Sequence, residues 1–181
     1  MHTERIREIF RAVEDTDPLI PAPATRESLA ACQKALAERG YPILPPGAIE
    51  FFQLANGFSW NGFEFFGSNA TTTESGRYTL KDIVHMNDVW HDNREGRDHL
   101  LLLGRFDDDI YVYDKDEDSF QVLDGLTLFL IDEYSEYDEL FICSVNEYAC
   151  EDEYEEDLDD EDWEEDAEEI LDDEDWPEED V

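Results

Sequence analysis

The chain has 181 residues, and its 51 acidic side chains against 12 Lys and Arg give a formal net charge of −39. Residues 151–181 contain 22 of the acids and no basic residue, so residues 1–150 alone carry a net charge of −17. Binding DNA, RNA or an anionic membrane surface needs clustered Lys and Arg. The composition therefore excludes these as direct partners, and any macromolecular partner should be basic.

The aromatic residues favour a single folded domain over residues 1–150, followed by an acidic low-complexity tail at 151–181. A domain of that length buries enough surface for an ordinary core. The charged N-terminal stretch Met1–Phe10 is unlike a signal peptide. The longest apolar runs, Leu100–Leu103 and Leu126–Ile131, are far short of the ~20 residues of a membrane span.

The three cysteines form no C-x-x-C pair. Neither a disulfide framework nor a structural zinc site is expected, and a reducing cytoplasm is the simplest location. The residues concerned are Cys32, Cys143 and Cys150.

Three helices are predicted in the N-terminal third of the chain. Apolar residues at helical spacing indicate the first over residues 4–13. Thr25 as N-cap and Gly40 as terminator bound the second. Pro45-Pro46 opens the third, and Asn56-Gly57 ends it, because both residues tolerate positive φ. The core positions predicted for the third helix are Ile49, Phe51, Phe52 and Leu54.

Beyond residue 62 the apolar spacing becomes that of strands. The predicted elements are a strand over residues 63–66, a polar loop over 70–76, a short helix over 80–86, an exposed charged stretch over 88–98, and strands over 99–106, 110–113 and 120–123. Ser135 then opens a final helix with Asp138 in a capping-box position. The buried stripe of this helix is predicted to be Leu140, Phe141, Val145 and Tyr148. Helices, a meander of strands and a closing helix indicate an α+β fold.

The tail has two interpretations. Its composition is typical of a disordered, solvated segment, but aromatic and aliphatic residues recur in it at near-helical steps. As a helix, it would carry one charge per ~2 Å, close to the ~1.7 Å of duplex DNA. The second hypothesis is therefore nucleic-acid mimicry, with the tail folding on a basic partner. Its candidate contacts are Asp162, Trp163 and Trp176.

Two segments of the body are candidate protein contacts. Asp107, Asp108 and Asp109 lie between two predicted strands, where three adjacent carboxylates are favoured by solvent, a cation or a basic partner. Trp60 and Asn61 lie in a predicted loop, where an exposed aromatic could anchor an interface. The alternatives are a solvated turn for the acids, and a tryptophan that caps the edge of the core.

Metal-binding and catalytic motifs in the sequence are incomplete or absent. Asp114, Asp116 and Asp118 imitate the start of an EF-hand, but Ser119 and Gly125 stand where Gly and Glu are required. A hairpin turn explains these residues better.

A histidine cluster is the other metal candidate, but its spacings of six and eight match no metal motif. It consists of His85, His91 and His99 with Asp88, Asp92 and Asp98. A nucleophile elbow, a P-loop and a dinucleotide fingerprint are absent, and Cys143 suits helix packing better than catalysis. We therefore expect no catalytic residue, metal or cofactor.

Two blocks of sequence resemble the SUKH superfamily. Leu44–Phe52 followed by Ala55–Phe58 is similar to its "L-P … F … N-G" segment, and Leu102–Asp114 is similar to its glycine–acidic turn–strand block. A closing helix after Tyr134-Ser135 also fits. The resemblance covers roughly residues 25–150 and leaves the acidic tail outside.

That resemblance implies an α+β domain with a central, largely antiparallel sheet flanked by helices, and a binding module without chemistry of its own. Many members are bacterial immunity proteins that neutralise toxins delivered in interbacterial competition, often nucleases. Others are regulatory scaffolds, including a fungal cell-wall synthesis regulator. We therefore expect a cytoplasmic antitoxin whose partner is a basic toxin, with a nuclease preferred. The alternatives are a scaffold for a basic host protein and a metal-dependent hydrolase using His85 and His91.

Overall fold

A computed structural model describes residues 2–92 and 96–149. The helices in this part of the chain are α1 (Thr3–Ala12), α2 (Arg26–Arg39), α3 (Pro46–Phe52), α4 (Ile83–His91) and α5 (Tyr137–Ala149). The strands are β1 (Phe58–Trp60), β2 (Phe63–Phe65), β3 (Thr71–Thr72), β4 (Thr79–Leu80), β5 (Leu100–Phe106), β6 (Asp109–Asp114), β7 (Ser119–Asp124) and β8 (Leu130–Tyr134).

The main sheet has six strands in the order β1-β2-β5-β6-β7-β8, and each neighbouring pair is antiparallel. Strands β3 and β4 form a separate two-stranded sheet. Helix α4 contacts β5, helix α5 contacts β7 and β8, and α1 and α3 pack on α5. The predicted α+β fold with a central antiparallel sheet flanked by helices is confirmed.

Local signals place the early helices correctly. The Thr25 hydroxyl accepts a hydrogen bond from the Ser28 backbone N–H at 3.1 Å, which caps α2. Gly40 ends α2 at φ 79°, a conformation that glycine adopts without steric cost. Helix α3 begins at Pro46 as predicted but already ends at Phe52, four residues before Asn56.

Three predictions between residues 70 and 98 are wrong. The polar loop contains β3, and Leu80 is in β4, where it pairs with Thr71 instead of opening a helix. Helix α4 starts later, because the Asp82 carboxylate accepts from the His85 N–H at 2.8 Å and caps it there. The stretch predicted as exposed includes the end of α4, with Trp90 only partly exposed.

The end of the domain also differs from prediction. Helix α5 begins at Tyr137, two residues after Ser135, and the carboxylate of Asp138 in its first turn accepts the backbone N–H of His2. Strand β8 was not predicted. On α5, Tyr148 is 39% exposed instead of buried, and Cys143 is exposed.

An aromatic cluster between the helices and the sheet forms the centre of the core. The ring of Phe141 on α5 contacts Phe51, Phe58 and Phe65 at centroid distances of 4.9–5.2 Å. These four side chains are fully buried. Rings of this size dominate core energetics, so the cluster joins α3, α5, β1 and β2 into one unit. Two predicted core positions, Ile49 and Leu54, are half-buried.

Candidate protein-binding surface

One end of the main sheet brings two connections together. The β5–β6 turn contains Asp107 at φ 51° and Asp108, and both side chains are exposed. The backbone N–H of Gly125, in the β7–β8 connection, donates to the Asp108 carbonyl at 2.7 Å. A Cβ at position 125 would lie 2.5 Å from that carbonyl oxygen, so this close approach requires glycine.

Asp109 and Asp124 are directly opposite each other in this same region, as register partners in β6 and β7. The Asp124 carboxylate accepts from the Thr127 N–H and hydroxyl, both at 2.6 Å, and from the Leu126 N–H at 3.1 Å. These donors, the Thr127 hydroxyl first, lower the pKa of Asp124. Partial burial, followed by repulsion from Asp124, Asp107 and Asp108, raises the pKa of Asp109.

We call Asp107, Asp108, Asp109 and Asp124 the acidic corner. The ion pairs between described residues involve none of the four. A set of adjacent carboxylates without a neighbouring cation produces a negative potential that attracts a cationic surface. The acidic corner therefore contains the three consecutive aspartates that were predicted as a contact. Asp124 joins them from β7, a strand farther along the chain.

Next to the acidic corner, the β7–β8 connection and the start of β8 expose apolar side chains. The exposed fractions are 81% for Leu126, 75% for Phe129, 55% for Leu130 and 56% for Ile131. We call these four residues the apolar ridge. A contiguous apolar patch bordered by polar groups is typical of a protein interaction site. From the sequence, this run is predicted only to be too short for a membrane span, although its position between Gly125 and Asp132 is a signal for an exposed connection.

The Trp60 and Asn61 prediction is partly wrong. Trp60 is the last residue of β1 and is only partly exposed, and Asn61 is in the β1–β2 turn at φ 45°. The indole Nε1 of Trp60 donates to the Thr16 hydroxyl at 2.7 Å, and its ring stacks on Phe63. The ring therefore covers the edge of the core. The β1–β2 turn lies at the same end of the main sheet as the acidic corner, because Phe63 stacks on Phe106, the residue before Asp107, at 3.8 Å.

The metal candidates form no ligand set in the described residues, where no three His, Cys, Asp or Glu side chains are placed to hold an ion. Asp114 instead accepts from the backbone N–H groups of Asp116 and Glu117, as expected for a hairpin turn. The ring of His91 stacks on Tyr41 at 4.4 Å, whereas His85 is exposed on the same helix.

The tail contacts Asp162, Trp163 and Trp176 lie outside the described residues. Within residues 2–92 and 96–149, no helix has the length and apolar character needed to cross a membrane. No protein-family model matches the chain, and no curated protein matches it either.

Proposed function

We propose that this chain is a cytoplasmic immunity protein that binds a basic protein toxin, with a nuclease preferred, and neutralises it by covering its cationic surface. The observation that carries the proposal is the acidic corner, where four carboxylates from two strands and a turn meet on a chain of net charge −39. The resemblance to the SUKH superfamily supports the same class of function.

The electrostatics explain how binding inhibits. A nuclease holds its substrate through Lys and Arg side chains that face the phosphates. An inhibitor of strongly negative charge is steered toward those cations, which raises the association rate. Once bound, the carboxylates occupy the positions of the phosphates, and the substrate is excluded without any bond being broken.

The acidic corner suits this role because one of its carboxylates and the backbone of its turn are held in place. Asp124 is fixed by three donors of its own loop, and the Asp108 backbone is fixed by Gly125. Pre-organised groups lose little conformational entropy on binding. A cationic partner would also relieve the repulsion between Asp109 and its neighbouring carboxylates. This repulsion destabilises the free protein, and its relief would contribute to the binding free energy.

Co-expression with the product of the neighbouring gene tests the proposal. We expect the chain to rescue growth from that product's toxicity and to bind the purified product. The triple variant D107N/D108N/D124N keeps the side-chain shapes and removes three charges. We expect at least tenfold weaker binding from it.

The matched control is E74Q/D116N/E117Q, which removes three charges at exposed positions; Asp116 and Glu117 are at the opposite end of β6 from the acidic corner. We expect less than a threefold change from it. No rescue, combined with binding to a basic host protein, would replace the immunity proposal with the scaffold alternative.

A further inference from the structure

The side chains of the apolar ridge face solvent and do not pack into the core of the domain. Leu126 and Phe129 are 81% and 75% exposed, far more than the partly exposed aromatic residues at the edge of the core. Leu128, between them, has φ 60° and packs partly against the core. That positive φ is uncommon for a branched side chain. With this backbone conformation, the Leu128 side chain packs inward, whereas those of Leu126 and Phe129 face outward.

Charge disfavours the chain itself as the occupant of the ridge. Asp124 is two residues from Leu126, and Asp132 and Glu133 follow Ile131 directly, so acids border the ridge on both sides. A second copy seated on the ridge would place two acidic borders against each other. The segment 151–181 carries 22 acids and no cation, and the same repulsion acts against it.

The outer edge of β8 is also unsuited to strand addition. The register between β7 and β8 shifts at Val122/Leu123, which places a bulge at the start of β8. Farther along, the Asp132 carboxylate accepts the Glu133 backbone N–H at 2.9 Å, so that donor is already paired. Bulges and charged side chains are the features that keep an edge strand from pairing with another chain. The ridge therefore offers side chains as anchors, and not an open ladder of backbone groups.

We infer that the apolar ridge is the anchor of the interface, and that it takes an apolar surface bordered by Lys and Arg on the partner protein. This inference deepens the proposed function and rests on its basic partner. The acidic corner and the acids of β8 pair with the cations, while Leu126, Phe129, Leu130 and Ile131 lose their contact with water. Interfaces with an apolar centre and a charged rim have this arrangement.

A defined probe tests the ridge without the toxin. The probe is a fluorescent amphipathic helical peptide with a leucine stripe flanked by lysines, and the same peptide with glutamates in place of lysines is its control. Binding to the full chain is measured by fluorescence anisotropy at 0.15 M salt. The test variant is L126S/F129S, and the matched variant is I43S/V89S, which changes two apolar residues that are 55% and 51% exposed elsewhere on the surface.

We expect the lysine peptide to bind, the glutamate peptide not to bind, and L126S/F129S to weaken binding at least tenfold while I43S/V89S changes it less than twofold. Equal losses in the two variants, no loss in L126S/F129S, or no binding of the lysine peptide would overturn the inference. Sedimentation that shows a dimer lost in L126S/F129S would assign the ridge to a second copy and would also overturn it. These outcomes are independent of whether co-expression rescues growth.

Discussion

Asp109 in β6 and Asp124 in β7 are cross-strand partners, and only one of the two is stabilised as a carboxylate. The loop that follows Asp124 donates three hydrogen bonds to it, whereas Asp109 is partly buried among three other acids. Partial burial, followed by repulsion from Asp124 and the other two acids, therefore raises the pKa of Asp109, and ionised Asp109 opposes folding.

The variant D109N should be more stable than the parent at neutral pH. Because the folded-state pKa of Asp109 is raised above its usual 3.8, its carboxyl favours folding when protonated, and this advantage is lost as the pH rises through the folded-state pKa. Asparagine imitates the protonated form at every pH. Removing a like-charge cross-strand pair should gain about 0.5 kcal/mol, measured by urea unfolding at pH 7.

The gain from D109N should shrink as the pH falls toward 3.8, where the parent also becomes protonated. The control is D116N at an exposed turn position, for which we expect a change below about 0.5 kcal/mol. A gain of the same size at pH 3 and pH 7, or a loss of stability at pH 7, would contradict this account of Asp109.

The hydroxyl of Tyr137 is buried without a hydrogen-bond partner among the described residues. Its side chain is 1% exposed and contacts the rings of Phe51, Phe65 and Phe120, and burial raises its pKa. An unpaired buried hydroxyl opposes folding. We expect Y137F to leave the free energy of unfolding unchanged or to raise it by about 1 kcal/mol.

The companion variant Y137A should lose about 3–5 kcal/mol, because it leaves a cavity where the ring was. Thermal and urea unfolding of both variants give the comparison. A loss of more than about 1 kcal/mol in Y137F would show that the hydroxyl has a partner, since removing a satisfied hydrogen bond costs about that much.

Gly57 is required for the turn between α3 and β1. Its φ is 102°, and a Cβ there would lie 2.9 Å from both the Leu80 side chain and the Phe65 carbonyl oxygen. Gly76 also has positive φ, 69°, but a Cβ there meets nothing within 4 Å. We expect G76A to cost roughly 1–2 kcal/mol from backbone strain alone.

G57A should cost roughly 1–3 kcal/mol more than G76A because of the added overpacking. Urea unfolding of the two variants measures the difference directly. Equal costs would mean that the surroundings of Gly57 yield to the added methyl group. Neither variant tests binding, because each acts through the fold.

Local signals predicted much of the fold. Thr25 and Gly40 act on the backbone within a few residues, and strands β5, β6 and β7 lie at the apolar segments that predicted strands. These features depend on nearby sequence, so a single chain is enough to identify them.

Features that depend on distant contacts were missed. Strand β8 has four exposed residues and one that is partly exposed, so it lacks the alternation that identifies a half-buried strand. The hydrogen bond that holds the Trp60 indole at the edge of the core was missed because its acceptor, Thr16, is 44 residues away in the sequence. The three consecutive aspartates of the acidic corner were predicted from the sequence. Asp124 was not, because it joins them only through the register of β6 and β7.

The salt dependence of affinity for the neighbouring gene's product tests the central claim most directly. The full chain is titrated by calorimetry between 50 mM and 500 mM NaCl, together with the acidic-corner variant and a full-length variant in which the acids of 151–181 are replaced by Asn and Gln. We predict that the affinity of the parent falls steeply with salt and that both variants bind more weakly with a shallower slope. An affinity that is the same at every salt concentration, and the same in the three proteins, would contradict electrostatic occlusion.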